Sequence, residues 1–313
     1  MNDVTAPSAS SASSLALLRL LAEVRAAVDE RLPALLVGEA RLLDPRDPLP
    51  SATREALLSP GKRVRPALVV LAGELFEAPR PRLVDAGCAI EMVHAASLVL
   101  DDLPSMDDAT LRRGRPALHA AHGEGNAILA AVTLLARAFG LLAEAGLHAR
   151  RGGIAGSLAL DLVSRLADAS GLLGLASGQA LDLATSETEA TFDRLETIHA
   201  RKTGALFVAS AEFGAVLGGA RERELGAVRS YARNVGLAFQ IVDDLLEFRG
   251  EPAETGKSSR RAPSPTFVRH VGEAGARTLV AELTQHALDS LKPFGKKADL
   301  LREFAAMLRD RKT

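Results

Sequence analysis

From Leu15 onward, apolar residues recur every three or four positions, and no stretch alternates apolar and polar residues long enough to build a sheet. A chain patterned this way buries its apolar stripes by packing helix on helix. The pattern predicts an all-α fold. Leu83 to Leu100 is the most apolar helix, and Gly123–Gly146, Leu158–Ala176 and Phe192–Gly219 read as further helices. Proline-rich LLDPRDPLPSA, with Pro45, Pro48 and Pro50, and the later GEPAETGKSSRRAPSPTF read as connections. Residues 1–14, MNDVTAPSASSASS, lack the basic region and apolar core expected of a secretory signal, and their Ser/Ala composition reads as a flexible tail. Residues 15–313 then form a single helical domain.

Composition removes several function classes. A net charge of −1 leaves no nucleic-acid footprint and no polybasic membrane anchor. No uninterrupted apolar run approaches about 18 residues, so no membrane span is predicted. The single cysteine, Cys88, excludes an intrachain disulfide and fits a reducing, cytoplasmic location.

Two acidic clusters each end an apolar helical stretch. The first, in SLVLDDLPSMDDATLRRGRPALH, sets Asp101, Asp102 and Asp107 beside Arg112 and Arg113. Close carboxylate pairs repel by on the order of 1–4 kcal/mol, so a fold that gathers them needs cations. Hard oxygen ligands suit Mg²⁺, which binds carboxylates together with substrate phosphates. The arginines supply forked donors for phosphate oxygens. The second cluster lies in GLAFQIVDDLLEFRG. There Gln240, Asp243, Asp244 and Glu247 are spaced i, i+3, i+4, i+7 and share a helix face. Leu237, Ile241, Leu245 and Phe248 are expected to face the core. Two such clusters can clamp one polyanion through shared metal ions.

Other polar residues gain meaning beside these clusters. In SPGKRVRP, Lys62, Arg63 and Arg65 crowd a helix start, where basic charge opposes the macrodipole unless an anion binds. His94, Ser97 and Asp101 share one helix face, so His94 reads as a phosphate contact as readily as a core histidine. Gln179 and Asp182 interrupt an apolar run in SGQALDL, and Lys202 and Thr203 sit in ARKTGALF. Each alone is compatible with an ordinary surface position.

The sequence resembles the trans-isoprenyl diphosphate synthases, the polyprenyl synthetase family, from about Leu15 to the end. The resemblance rests on GKRVRP, DDLPSMD followed by RRGRP, SGQALDL, KTGALF, and GLAFQIVDDLLE followed by GK. The run MVHAASLVLDDLPSMDDATLRRGRPALH is most similar to bacterial geranylgeranyl diphosphate synthases of the carotenoid type. The resemblance implies a helical bundle around a deep central cavity, working as a homodimer with about three Mg²⁺ ions per active site. It implies condensation of isopentenyl diphosphate with allylic diphosphates. Asp101, Asp107 and Asp243 would bind metal, with Asp102, Asp244 and Glu247 helping. Arg112, Lys202, Gln240 and Lys257 would face the allylic diphosphate, and Thr203 the reacting region. Lys62, Arg65, His94 and Arg113 would hold isopentenyl diphosphate. Gln179 and Asp182 would line the cavity.

Two positions depart from the family pattern. Glu247 stands where the second motif commonly ends in Asp, and the segment after Gly256-Lys257 is short, with Arg260 and Arg261 in place of a Gly-Lys-Asp step. Product length follows from cavity depth. Ala96, five positions before Asp101, lies about 7.5 Å below it and leaves room there. The expected product is C20, with C15 and then longer chains as alternatives. A class I terpene cyclase would need no GKRVR cluster, and a non-catalytic regulatory subunit would be expected to lose acids or arginines that this chain keeps.

Overall fold

The structure is a computed structural model, and it describes residues 9–40, 44, 46–147, 156–249, 258–259 and 265–311. Helices α1 (Ala9–Ala40), α2 (Leu49–Leu58), α3 (Val64–Glu74) and α4 (Arg80–Asp101) lead into a hairpin of β1 (Ala109–Arg112) and β2 (Arg115–Pro116). Next come α5 (Leu118–His122), α6 (Glu124–Leu147), α7 (Gly156–Ser170) and α8 (Leu175–Ala184). Then follow α9 (Phe192–His199), a π-helical turn (Ala200–Gly204), α10 (Ala205–Leu217) and α11 (Glu222–Arg249). A short β3 (Ser258–Ser259), α12 (Phe267–Ser290) and α13 (Asp299–Asp310) complete the described chain.

α3, α4 and α10 form the centre. Every residue of α3 from Pro66 to Gly73 is buried. α4 is buried on nearly all sides, as a helix without a polar face must be. Gly214 lets α10 close on α3, because a Cβ there would lie 2.2 Å from the Val69 carbonyl oxygen. α6 packs on α4, and α12 packs along α11. α13 buries Leu301, Phe304, Ala305 and Leu308, an i, i+3, i+4, i+7 stripe. Each such leucine contributes about 1.5–3 kcal/mol by leaving water.

The fold corrects several expectations. The tail was expected to reach Ser14, but α1 begins at Ala9. Between Pro7 and Pro33 no proline or glycine interrupts this Ala- and Leu-rich segment, and the Ser14 hydroxyl donates to Glu303 at 2.9 Å. The single helix expected over Leu158–Ala176 breaks at Gly171–Gly174, and that over Phe192–Gly219 contains the π turn. Leu237, Ile241 and Leu245 are buried, but Phe248, in the last turn of α11, is 60% exposed. A small antiparallel sheet exists after all, in the order β2-β1-β3. Its hairpin turns through Arg113 (φ 54°) and Gly114 (φ 74°), a two-residue connection with both φ positive. α4 and α6 are long and apolar enough to cross a membrane by length and composition alone, despite lacking an uninterrupted run. α4 is 67% buried inside the fold and α6 only 39%.

Candidate active site

The first acid cluster begins where α4 ends. Asp101 is its last residue and Asp102 its cap. Acids at a helix C-terminus meet the negative end of the macrodipole, so this placement calls for cations. The chain then doubles back: the Asp107 N–H donates to the Asp101 carbonyl at 2.9 Å, and the Ala109 N–H to the Asp102 carbonyl at 3.1 Å. This tight loop returns Asp107 to the end of α4. Asp102 is buried and takes the Arg112 guanidinium at 2.5 to 3.0 Å. Burial alone would lower the Arg112 pKa, but that hydrogen bond and the charges of Asp102, Asp101 and Asp107 raise it. Asp102 therefore fixes Arg112 in place, while Asp101 and Asp107 remain half-buried.

The π turn presents Lys202 and Thr203. Lys202 Nζ donates to Asp182 Oδ2 at 2.7 Å. Its burial is outweighed by Asp101, Asp182 and Asp107, which together raise its pKa, so Lys202 joins α8 to the first acid cluster. Gly178 makes this possible, because a Cβ there would sit 2.2 Å from the Lys202 backbone nitrogen. Gln179 is buried against Met106 Sδ at 3.9 Å, and its Oε1 has no hydrogen-bond partner among the described residues.

A buried relay ties this turn to the second cluster. The Thr203 hydroxyl donates to Gln240 Oε1 at 2.7 Å, and Gln240 Nε2 donates to Asp244 Oδ1 at 3.0 Å. The Phe267 N–H donates to Asp244 Oδ2 at 3.3 Å. Burial pushes the Asp244 carboxyl up to about 7, and burial pushes neighbouring His199 down to about 4. Although Asp243, Asp244 and Glu247 were expected on one face, Asp244 turns inward, Asp243 is half-buried and Glu247 is exposed. Adjacent helix positions diverge by about 100°, which separates the neighbouring acids. Asp243 meets Arg311 at 2.5 Å.

Beside Asp243 opens a cleft of about 430 Å³ whose lining includes Lys62, Arg65, His94, Arg113, Glu91 and Phe239. Arg63 is neutralised by Glu91 at 2.6 Å and Asp29 at 2.8 Å. Arg65 stacks over Phe207 at 5.1 Å and meets His94 Nε2 at 3.4 Å. Its Nε has no hydrogen-bond partner among the described residues. Burial and the nearby positive charges of Arg65, Arg113, Arg112 and Arg63 hold His94 well below its usual pKa, hence neutral. The Lys62 pKa is lowered by burial and by Arg311 and Arg113, with Asp243 opposing. The cleft is thus crowded with like charge that an anion would relieve. Arg63, Asp108 and Arg113 hold positive φ, three of the four non-glycine residues that do so among those described. Such strain gathers at functional sites.

Ala96 is fully buried in α4, among Met92, Val93 and Ala95. Lys257, Arg260 and Arg261 lie outside the described residues. Sequence reasoning missed Glu91, His199 and Arg311. Glu91, inside an apolar helix three residues before His94, was the one with a visible signal. Among the described residues no three acidic, histidine or cysteine side chains converge into a ready-made metal site. Mg²⁺ commonly takes one or two carboxylates plus substrate phosphates, so Asp101, Asp107 and Asp243 fit it chemically.

Acid clusters beside a basic cleft, on a helical scaffold, make a site chemically suited to divalent cations and phosphate groups. A family model described as polyprenyl synthetase matches residues 47–261. Geranylgeranyl pyrophosphate synthase 4 of Arabidopsis thaliana is 38% identical over 277 residues, covering 87% of this chain and 70% of that protein. Geranylgeranyl pyrophosphate synthase 11, chloroplastic, of the same plant is 41% identical over 249 residues, 78% of this chain and 69% of the relative. Among solved structures, an FPP/GFPP synthase from Zymomonas mobilis aligns with a TM-score of 0.80 at 35% identity, over 93% of this chain and 98% of the other. A geranyltransferase from Legionella pneumophila aligns at 0.81 and 33% identity, over 96% and 99%. The chain belongs to the polyprenyl synthetase family. It is a prenyltransferase with the family's helical fold.

Proposed function

We propose that this enzyme condenses isopentenyl diphosphate with allylic diphosphates and releases mainly the C20 product, geranylgeranyl diphosphate. The observation that carries the reading is the basic cleft, whose surplus positive charge lies beside Asp243 and next to the two acid clusters. In this reading Lys62, Arg65 and Arg113 hold the isopentenyl diphosphate, and neutral His94 donates one hydrogen bond to it. Asp101, Asp107 and Asp243 hold Mg²⁺, about three ions with substrate, and Asp102, Asp244 and Glu247 support them. Bound Mg²⁺ stabilises the negative charge that builds on the departing diphosphate. Arg112 and Lys202 add preorganised positive charge at the same place, each held by an acid. Gln240 and Lys257 are read as facing the allylic diphosphate with them, Thr203 as contacting the reacting region, and Gln179 and Asp182 as lining the cavity.

The allylic C–O bond breaks, and its electron pair leaves with the diphosphate. The isopentenyl double bond attacks the allylic cation, forming the new C–C bond. A proton then passes from the resulting cation to the diphosphate, and the chain is five carbons longer. Ala96, where a bulky side chain would stop growth, is read as leaving a C15 chain room to grow to C20, with Met92 and Val93 next below it. We also read the enzyme as a cytoplasmic homodimer. Support for pairing comes from α6, whose Ile128, Leu129 and Val132 are 42%, 51% and 55% exposed. Support for the compartment is the single, buried Cys88.

The test is product analysis with Mg²⁺, isopentenyl diphosphate and C5, C10 or C15 allylic diphosphates. Mainly C20 alcohol after dephosphorylation is expected, and Ala96→Phe should shift the product toward C15. A wild-type stop at C15 would move the floor to another residue. No elongation from any starter would sink the catalytic reading in favour of a regulatory subunit.

A further inference from the structure

Arg311 lies just beyond α13, yet it reaches into the second acid cluster. Its Nη2 meets Asp243 Oδ1 at 2.5 Å and donates to the Phe239 carbonyl at 2.8 Å. Its guanidinium carbon lies 3.9 Å from the centre of the Phe239 ring. The side chain is only 11% exposed, while that of Asp243 is 42% exposed. α13 is held by a buried apolar stripe, so the arginine is delivered from a rigid element. A divalent cation on either oxygen of Asp243, at about 2.0–2.1 Å, would sit a few ångströms from this guanidinium and repel it.

We propose that Arg311 is a built-in counter-ion for Asp243, one that holds the second acid cluster closed and must be displaced before a divalent cation binds there. The contact is then autoinhibitory. Closure lowers apparent metal affinity by the fraction of time the contact is open. It also stabilises the metal-free fold, because Arg311 makes a direct ion pair with Asp243, whereas Lys62 and Arg65 act on that carboxylate through their charge. The inference rests on Asp243 being a metal ligand.

Mn²⁺ is the probe, because the electron paramagnetic resonance signal of the free ion reports binding directly. The full chain would be titrated with Mn²⁺ alone, as wild type, Arg311→Met, Arg311→Lys and Asp243→Asn. Methionine keeps the packing on Phe239 and removes the charge. Arg311→Met is expected to bind Mn²⁺ at least threefold more tightly than wild type, with Arg311→Lys between. Thermal unfolding adds a second readout, the metal dependence of the stability gap, which lost packing on Phe239 would not change. The midpoint of Arg311→Met should fall below wild type without metal, and the gap should narrow at saturating Mn²⁺. Unchanged or weaker Mn²⁺ binding in Arg311→Met, while Asp243→Asn lowers the number of Mn²⁺ ions bound or weakens one of them, would overturn the counter-ion and leave the metal site standing. Mn²⁺ stoichiometry and affinities left unchanged by Asp243→Asn would overturn both.

Discussion

Asp244 and His199 share one buried spot and titrate in opposite directions. His199 Nε2 lies 3.9 Å from Asp244 Oδ2 and has no hydrogen-bond partner among the described residues. The histidine pKa falls from 6.5 to about 4 on folding, so its contribution is complete above pH 6.5 and is lost as pH drops toward 4. The carboxyl pKa rises from 3.8 to about 7, so Asp244 destabilises the fold above pH 7 and ceases to do so as pH falls toward 4. The two slopes oppose each other. His199→Gln should therefore gain about 2 kcal/mol on wild type when the metal-free protein is taken from pH 7 to pH 5. Urea unfolding of both proteins at the two pH values checks this. An equal change in both would show that His199 is protonated in the fold.

Among the elements, the π turn links α8 to α11 through two site residues. A π turn inserts one residue into a helix and often marks a functional position. Here it presents Lys202 to Asp182 and Thr203 to Gln240. α8 packs against the turn backbone through Gly178, with no space for a methyl group. Gly178→Ala must push the two apart. We expect a loss of about 1–3 kcal/mol in stability, the usual cost of overpacking, together with a fall in kcat as Lys202 moves. Exposed Gly125 is the control. A Cβ there would meet nothing within 4 Å, so Gly125→Ala should cost neither stability nor rate. Denaturant unfolding and steady-state kinetics on the two variants separate these outcomes.

For the whole molecule, the question is what covers α6. Its inner face is closed by Ala127, Ala130, Ala131 and Leu134, while Ile128, Leu129 and Val132 face outward. Exposed apolar surface of this kind marks contact sites. Replacing Ile128 and Val132 together by Glu should turn a dimer into a monomer in light scattering, because two buried carboxylates would meet their copies across a two-fold axis. A monomeric wild type would remove the homodimer from the reading.

Much of this molecule was legible along the chain. Helical class, the two acid clusters and the basic motif depend on local spacing, since 3.6-residue periodicity and neighbouring charges are properties of short segments. Which acid is exposed and which is spent on structure is not local. Asp101 and Asp102 are adjacent, yet Asp102 is committed to Arg112, and Asp244 to Gln240 and the Phe267 N–H. Arg63 and Arg65 share one motif, yet only Arg63 is neutralised by two acids, from α1 and α4. Arg311 meets Asp243, 68 positions (311 − 243) earlier in the chain. Periodicity determined which residues could lie on a face; packing, by deciding which groups lose water and which partners arrive, determined what each charge can do.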